Sequence, residues 1–339
     1  MSTFTVEIVK ILEVVKHPNA DKLDLVKVKG WQVVAQSGQY AAGDSTFYCP
    51  IDAVLPQWLS DKMDVTKYLS RQRVRTARLR GEYSQGLLIP LGMIPLGKVR
   101  LPIGVGDNYA EEFGITKYDP PVPINMSGLV APHNPDFPKY TDIENIKNFP
   151  DVLQEGEEVV ITEKIHGTNF RVGVVGGELM VGSHNWPLKE TEGNLYWRVV
   201  REHPEIEVAL RTYWADTGKN IILFGEVYGK GIQKVLDYGA SKPEVRFFDI
   251  MTEGTYRDTE YLKLWLNLNK LKAVPHLFSG PWSWSELKYL ADGESMLAKH
   301  IKEGFVVRPK YEKDEYKLGR VILKHISEAY LMKDYGDLH

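Results

Sequence analysis

The chain has 339 residues, of which 43% are hydrophobic and 26% are charged, so a disordered protein is excluded and one or two packed domains are expected. The net charge of −3 excludes a uniformly basic polyanion binder, and the single cysteine, Cys49, excludes an internal disulfide and a cysteine-based zinc site. No apolar run is long enough for a membrane span and the N-terminus lacks a secretory signal pattern, so a cytoplasmic protein without membrane attachment is expected.

The first third of the chain is predicted to form short strands separated by turns. Segments rich in Val, Ile, Leu and aromatic residues recur there: TVEIVKILEVVKH, KLDLVKVKG, WQVVAQSG, DSTFYCP and QGLLIPL. Several short strands at this spacing indicate a small all-β barrel. The sequence HPNADKLDLVKV, followed by SQGLLIP and GVGDN, resembles the oligonucleotide-binding (OB) barrel of some tRNA synthetases and tRNA-binding proteins. The resemblance implies an OB-fold nucleic-acid-binding domain over residues 1–115.

An arginine-rich segment, KYLSRQRVRTARLR, runs from Lys67 to Arg80 without an acidic residue. One explanation is a solvated face or arginines paired with carboxylates elsewhere, and the other is a phosphate-binding patch. In a strand, Arg71, Arg73 and Arg75 would lie on one face, because side chains alternate along a strand. These three arginines are therefore candidate nucleic-acid-binding residues.

Proline is dense between Tyr118 and Tyr140, which favours an extended linker over residues 116–140. From residue 141 to residue 339, strand-like segments such as NIILFGEVY and VRFFDIM alternate with helix-like ones. The predicted helices are NLYWRVVREHPEIEVALRTYW, DTEYLKLWLNLNKL and WSELKYLADGESMLAKHI. This alternation predicts an α+β domain with mainly antiparallel strands.

Charged residues interrupt several of the apolar strands of this second half. They are Lys164, Glu226, Asp249, Glu303, Arg308 and Lys324. Unpaired charges in apolar strands cost several kcal/mol, so these residues are expected to converge on a ligand, the alternative being buried ion pairs without one. A lysine can attack phosphorus as the free amine, carboxylates hold Mg²⁺ or Mn²⁺, and a second lysine neutralises phosphate. The set therefore fits nucleotidyl transfer from a nucleoside triphosphate onto Lys164.

The stretch EKIHGTN resembles the first motif of the covalent nucleotidyltransferase superfamily, which contains ATP-dependent DNA ligases, RNA ligases and GTP-dependent capping enzymes. The segments GSHN, FGEVYG, RFFDI, EGFVVRP and LKHIS follow in the family's order. The Lys-x-His-Gly form resembles the phage T4 RNA ligase 2 branch, and a preceding OB barrel resembles the RNA ligase 5 type known from Deinococcus and Naegleria. The resemblance implies an α+β nucleotidyltransferase (adenylyltransferase) domain over residues 141–339, with ATP-grasp-like antiparallel sheets and flanking helices, preceded by the all-β OB barrel.

The resemblance also implies roles for single residues. Lys164 would form a lysyl–AMP intermediate, and Phe248 and Val306 would enclose the adenine. The residues expected to bind ATP are Glu163 and Ile165 through their backbone, with His166, Asn169, Glu226, Phe248, Val306 and Lys324. Those expected to hold Mg²⁺ or Mn²⁺ are Glu226, Glu303 and Asp249, although Asp249 could instead be an orienting acid. Those expected to contact RNA are His184 and Asn185, in addition to the three arginines.

The sequence departs from the superfamily pattern at three places. His166 stands where most relatives have an aspartate, and the GSHN segment lacks the arginine found there in many relatives. Ile322 and Ile326 flank Lys324 at the spacings where a second lysine is often found, so that Lys317 and Arg320 are candidates for the missing charge, while Arg308 could contact phosphates or form an ion pair. His325 is expected on the strand face opposite to Lys324.

The function implied is that of a monomeric ATP-dependent RNA ligase. It would join 3′-OH and 5′-phosphate ends, at nicks in RNA or RNA/DNA duplexes, with ATP and Mg²⁺ or Mn²⁺. The first alternative is another enzyme of the superfamily, a capping guanylyltransferase or a DNA ligase. The second is a non-catalytic tRNA- or RNA-binding protein with a degenerate transferase domain.

Overall fold

Two units make up the chain: Met1–Pro121 with Leu331–His339, and Val122–Tyr330. The computed structural model describes residues 4–95, 97, 104–119, 128–233 and 236–333. In the predicted linker, residues 120–127 lie outside the described residues, whereas Phe137 and Tyr140 are buried in the core of the second unit. No helix in the described ranges is both long enough and apolar enough to cross a bilayer.

The first unit is built almost entirely from short antiparallel strands. They are β1 (Glu7–Lys10), β2 (Glu13–Lys16), β3 (Leu23–Val28), β4 (Trp31–Gln36), β5 (Ser45–Cys49), β6 (Ala53–Val54), β7 (Ala77–Leu79), β8 (Glu82–Ser84), β9 (Leu87–Ile89) and β10 (Thr116–Lys117). The short helices α1 (Gln57–Lys62) and α2 (Ala110–Phe113) accompany them, with single 3₁₀ turns at Thr66–Tyr68 and Leu91–Met93. The sheets β1-β5-β9 and β2-β3-β4 bury apolar clusters that include Phe47 and Trp31, which confirms the predicted all-β architecture.

The arginine-rich segment is not a strand where its first arginines lie. Arg71 and Gln72 have φ angles of 55° and 67°, which place a turn at this point. Arg73 pairs with Asp52 at 2.6 Å, and its guanidinium carbon lies 4.0 Å from the ring centroid of Tyr118. The prediction that Arg71, Arg73 and Arg75 share one strand face is therefore wrong, because two residues in the left-handed region turn the chain between them.

The described part of the second unit contains thirteen further strands and five helices. The strands are β11 (Glu144–Asn145), β12 (Glu158–Lys164), β13 (Thr168–Val175), β14 (Glu178–Ser183), β15 (Pro187–Leu188), β16 (Ile221–Tyr228), β17 (Glu244–Thr252), β18 (Thr255–Tyr256), β19 (His276–Pro281), β20 (Gly304–Pro309), β21 (Asp314–Glu315), β22 (Gly319–Arg320) and β23 (Leu323–Ile326). The helices are α3 (Leu195–Glu202), α4 (Pro204–Thr217), α5 (Thr259–Leu268), α6 (Trp284–Leu287) and α7 (Glu328–Leu331), with 3₁₀ turns at Ile146–Asn148 and Lys288–Ala291.

Two of the predicted helices differ from the observed ones. The first divides into α3 and α4 at His203, because Pro204 lacks an N–H donor and begins a new helix. The last ends after α6 and one 3₁₀ turn, and Gly293 follows with a φ of 91°, a conformation that does not continue a helix.

Two sheets form the framework of the second unit. The six-stranded sheet has the order β15-β14-β13-β16-β17-β18 and is antiparallel throughout. The five-stranded sheet has the order β11-β23-β20-β12-β19, and within it only β11 and β23 run parallel. This arrangement confirms the predicted α+β class with mainly antiparallel strands.

The six-stranded sheet buries a different set of residues on each face. One face packs against α3, α4 and α5 through a cluster that includes Phe170, Leu210 and Trp265. The other face contributes Phe224 and Met251 to a second cluster, which also contains Ile322 and Val306 from the segment that forms the five-stranded sheet. The two sheets therefore face each other, and the residues at the edge of this interface can line a cleft.

Candidate active site

Lys164 ends strand β12 and lies directly opposite Gly304 of β20. Val306 of β20 is opposite Lys324 of β23, and residues opposed in an antiparallel pair project from the same face of the sheet. Lys164, Val306 and Lys324 therefore share the face that looks towards the six-stranded sheet. His325 lies on the other face, against Trp284 and Phe305, as predicted, and burial lowers its pKa to about 4.

The side chain of Lys164 is held by Glu303. Its Nζ donates to Glu303 Oε1 at 2.6 Å, and the Glu303 side chain is only 4% exposed. The second oxygen, Oε2, is buried without a hydrogen-bond partner in the described structure and lies 3.8 Å from His166 Nδ1. A buried carboxylate oxygen without a donor is costly, so Glu303 has one coordination position to offer a cation or a water molecule.

Glu226 faces the same region from the six-stranded sheet, where it lies opposite Asn169. Burial raises the pKa of Glu226 to about 8, since the attraction of Lys164 does not offset the loss of solvent and the repulsion of Glu303. The N–H of Gly167 donates to Glu226. A Cβ at residue 167 would lie 2.3 Å from the carbonyl oxygen of Val227, so only glycine lets this turn pack against β16.

The raised pKa of Glu226 gives a testable pH dependence of stability. Between its ordinary pKa of 4.5 and about 8, the folded protein binds a proton that the unfolded chain does not, so this group's contribution to stability falls as the pH rises. We expect ligand-free Glu226→Gln to gain in melting temperature over the wild type from pH 5 to pH 8 and to keep that gain above pH 8. A difference that stays constant over this range, in thermal scans by circular dichroism, would contradict the assignment.

Three side chains that sequence reasoning missed hold the turn that follows Lys164. The N–H of His166 donates to the hydroxyl of Tyr238 at 2.7 Å, and Gln233 Nε2 donates to the carbonyl oxygen of Gly167. The hydroxyl of Tyr330, in α7, lies 3.0 Å from His166 Nδ1. These contacts span 66 to 164 residues of sequence, and no local pattern marks them. His166, which is 4% exposed, is therefore fixed on both its backbone and its ring.

Phe248 and Val306 form two apolar walls on facing sheets. Both are half-buried and pack against the same cluster, in which the ring centroids of Phe248 and Tyr140 are 4.9 Å apart. The register between β16 and β17 shifts after Phe224, which pairs with Asp249, while the next residue, Gly225, pairs with Phe247. Phe248 is thus the extra residue of a β-bulge, a device that re-aims a side chain.

Asp249 belongs to a buried ionic network and not to a metal site. Its Oδ1 lies 3.1 Å from Arg308 Nη1, and its Oδ2 lies 2.7 Å from Arg320 Nη2 and accepts from the hydroxyl of Tyr140 at 2.7 Å. Burial alone would raise the pKa of Asp249, but the two arginines reverse this and hold it below the ordinary value. The prediction of Asp249 as a metal ligand is therefore wrong, since both oxygens are already occupied.

The same network accounts for Arg308 and Arg320. Arg320 also pairs with Glu312, at 2.6 Å, so it is not a free substitute for the missing second lysine. Arg308 Nη2 donates to the carbonyl oxygen of Phe248 at 3.3 Å, which ties the network to the bulge. Lys317, the other candidate, is exposed. Sequence reasoning missed Tyr140 and Glu312, which complete the network.

Glu163 and Ile165, which flank Lys164, are both buried. The carboxylate of Glu163 accepts hydrogen bonds from the hydroxyl of Ser295 and, at 2.8 Å, from the N–H of Met296. The backbone N–H of Glu163 donates to the carbonyl oxygen of Pro275 at 2.8 Å. Glu163 therefore holds the loop that follows the last 3₁₀ turn, and its N–H is not available to a bound base.

The GSHN segment forms the end of β14 and the loop behind it. His184 Nε2 lies 3.1 Å from Asp142 Oδ1, and both His184 and Asn185 are partly exposed. Gly182 of β14 lies opposite Arg171 of β13, a buried arginine that the sequence did not single out. The predicted RNA-contacting residues of this segment thus stay accessible, and the strand residue Gly182 before them lies opposite a buried cation.

Within the described ranges, no three His, Cys, Asp or Glu side chains come together as a metal site made by protein alone. Glu226 and Glu303 approach the same lysine, and Glu303 has an unused buried oxygen. Mg²⁺ and Mn²⁺ sites that handle nucleotides commonly use one or two carboxylates, with water and substrate phosphate as the other ligands. The two glutamates fit a metal held in that way.

Comparison with known proteins gives a consistent result. A family model described as RNA ligase matches residues 157–326, and a model described as an OB-fold domain matches residues 5–91.

Solved structures of Naegleria gruberi RNA ligase are similar to this chain over nearly its whole length. A ligand-free mutant is 27% identical with a TM-score of 0.78, covering 98% of this chain and 99% of that one. A complex with pyrophosphate is 28% identical with a TM-score of 0.77 and the same coverage. A lysine-to-alanine mutant with ATP and Mn is 26% identical with a TM-score of 0.77, covering 96% and 98%.

Proposed function

Because the chain belongs to the RNA ligase family, we propose that it is an ATP-dependent RNA ligase in which Lys164 carries the AMP. The observation that supports this most directly is the convergence on Lys164 of Glu303 and Glu226, from two facing sheets. Lys324 shares the face of Lys164, and Phe248 and Val306 form walls that suit a flat base. The Naegleria relative has been solved with ATP and Mn, which fits the same substrate and a divalent metal.

In the first step the amine of Lys164 attacks the α-phosphate of ATP. The Nζ–P bond forms, the bond to the β-phosphate oxygen breaks, and pyrophosphate leaves. Only the free amine can attack, and Glu303 Oε1, at 2.6 Å, is the nearest acceptor for the proton that the ammonium must lose. Lys324 faces the same space and neutralises charge on the α-phosphate. Glu226 and Glu303 would hold Mg²⁺ or Mn²⁺, which supplies further charge neutralisation on the leaving group.

In the second and third steps the AMP activates the RNA end and then leaves. An oxygen of the 5′-phosphate attacks the lysyl–AMP, the Nζ–P bond breaks, and Lys164 is regenerated. The 3′-OH of the other strand then attacks the activated 5′-phosphate, and AMP departs as the phosphodiester forms. Both steps are phosphoryl transfers that depend on positioning, which the fixed turn from His166 to Gly167 provides.

The substrate proposed is a nick in RNA or in an RNA/DNA duplex with an RNA 3′-OH strand, acted on by a monomer. His184 and Asn185 would contact the RNA end, which their partial exposure permits. The OB domain would bind the sugar–phosphate backbone of the duplex, because phosphate contacts supply most of the affinity in such complexes.

Nucleotide and substrate choice separate this proposal from its alternatives. With α-³²P-labelled nucleotides we expect label on the protein from ATP and at least about tenfold less from GTP, since a site that hydrogen-bonds the edge of one base rejects a base with a different pattern of donors and acceptors. Nicked duplexes with an RNA 3′-OH should be sealed faster than all-DNA nicks. Preferential labelling by GTP would favour a capping enzyme, preference for DNA nicks a DNA ligase, and no labelling a binding protein.

A further inference from the structure

Among the described residues of the second unit, Arg171 is the most deeply buried arginine, with 2% of its surface exposed. Its Nε and Nη1 are buried and have no hydrogen-bond partner among the described residues. Unlike Arg308 and Arg320, it has no carboxylate beside it in the described structure. An unpaired buried guanidinium costs several kcal/mol, so Arg171 calls for a partner that the described residues do not supply.

The surroundings of Arg171 leave room for its guanidinium group. Gly182 lies opposite it, and a Cβ at that glycine would lie 2.7 Å from Arg171 Nε. The ring of Phe137 lies on another side, with its centroid 4.7 Å from the guanidinium carbon. Burial lowers the pKa of Arg171 to about 10, which leaves it charged at neutral pH. Strands β13 and β14 and the ring of Phe137 thus enclose the charged guanidinium of Arg171, and no carboxylate of the described residues pairs with it.

A second unsatisfied polar group lies next to it on the same strand face. Asn169 precedes Arg171 by two residues in β13, so both side chains point the same way, about 6.6 Å apart along the strand. Asn169 Oδ1 is also buried without a hydrogen-bond partner in the described part of the chain. Among the described residues, Asn169 Oδ1 thus lacks a hydrogen-bond donor, and the guanidinium of Arg171 lacks an anion.

We propose that Arg171 and Asn169 form a ribonucleotide subsite, in which the guanidinium of Arg171 binds a phosphate group and Asn169 Oδ1 accepts from a ribose hydroxyl. A ribonucleotide offers this pair of groups, and a guanidinium fork suits phosphate oxygens. The proposal rests on the function proposed above, in which both ATP and the RNA end are ribonucleotides. In this proposal Arg171 supplies a cationic contact on the β13–β14 side of the cleft, where the GSHN segment itself has no arginine.

The test compares Arg171→Met, Arg171→Lys and a control, Arg211→Met, whose arginine is exposed in α4 and paired with Glu207. Three quantities are measured for each: the melting temperature without ligand, the single-turnover rate of adenylylation by ATP, and the single-turnover sealing of a nick whose 5′ end is already adenylylated. The last two arms distinguish a phosphate of ATP from a phosphate of RNA.

For Arg171→Met we expect an unchanged or higher melting temperature together with a loss of about 30-fold or more in at least one of the two rates, because a charge-assisted phosphate contact disappears. Arg171→Lys should recover part of that loss, and Arg211→Met should match the wild type. Loss in the ATP arm assigns the phosphate to ATP, and loss in the sealing arm assigns it to RNA.

Two outcomes would overturn the subsite. One is that both rates of Arg171→Met stay within about threefold of the wild type, which would mean that enclosed water satisfies the arginine. The other is a lower melting temperature with both rates reduced only in proportion to the folded fraction, which would make Arg171 a structural residue. Failure of the wild type to become adenylylated would instead refute the proposed function, so the two failures are distinguishable.

Discussion

Replacing Lys164 with alanine is expected to lower the sealing of RNA ends that carry a 5′-phosphate by at least about 10³-fold, because the covalent intermediate can no longer form. Sealing of a nick that already carries a 5′-adenylylated end should fall much less, since that step does not need the lysyl–AMP bond. The measurement is single-turnover ligation of both substrates on denaturing gels.

The control is Lys219→Ala, which removes an exposed lysine from the loop after α4. This variant should match the wild type on both substrates. Equal losses of Lys164→Ala on the two substrates would show that Lys164 serves folding or RNA binding, and would remove the nucleophile from the account.

Asp249→Asn is expected to destabilise the folded protein by about 3–5 kcal/mol, because it leaves Arg308 and Arg320 buried with one carboxylate fewer. Asn also cannot accept from Tyr140 and both arginines as strongly as a carboxylate does. Since Arg308 donates to the carbonyl oxygen of Phe248, the bulge that presents Phe248 should loosen, and KM for ATP should rise in the variant that still folds. Urea unfolding and ATP-dependent adenylylation measure the two effects.

Glu207→Gln is the matched control for Asp249→Asn, because it removes an acid from an exposed ion pair with Arg211. An exposed pair of this kind contributes about 0.3–0.5 kcal/mol, so its loss should be small. A stability change in Asp249→Asn no larger than in Glu207→Gln would show that the network does not support the fold. Unchanged stability with lost adenylylation would return Asp249 to the metal site.

Residues whose position follows from strand alternation could be predicted from the sequence. Lys324 and His325 lie on opposite faces of β23, as their adjacency requires, and Lys164 does end a strand. The fold class followed from strand spacing, and the OB domain from the resemblance of its motifs to a known barrel; both are confirmed. For a strand face or a single motif, the information lies within a few consecutive residues.

Contacts between distant segments could not be predicted in this way. Tyr140 meets Asp249 across 109 residues, and Tyr330 meets His166 across 164 residues, and a hydroxyl at either place has no local signature. Convergence of charges was expected, but the sequence does not show that Asp249 and Arg308 would neutralise each other while Glu226 and Glu303 approach Lys164. The prediction that the arginine-rich segment forms a strand was wrong for another reason. The left-handed conformations of Arg71 and Gln72 are rare for such residues and have no signature in the sequence.

The central claim is that Lys164 becomes covalently joined to AMP. Its most direct test is intact mass spectrometry of the full chain after incubation with ATP and Mg²⁺ or Mn²⁺, followed by peptide mapping. We expect a mass increase of one AMP, located on the peptide that contains Lys164 and absent from Lys164→Ala. No adduct on the wild type, or an adduct that persists in Lys164→Ala, would contradict the account.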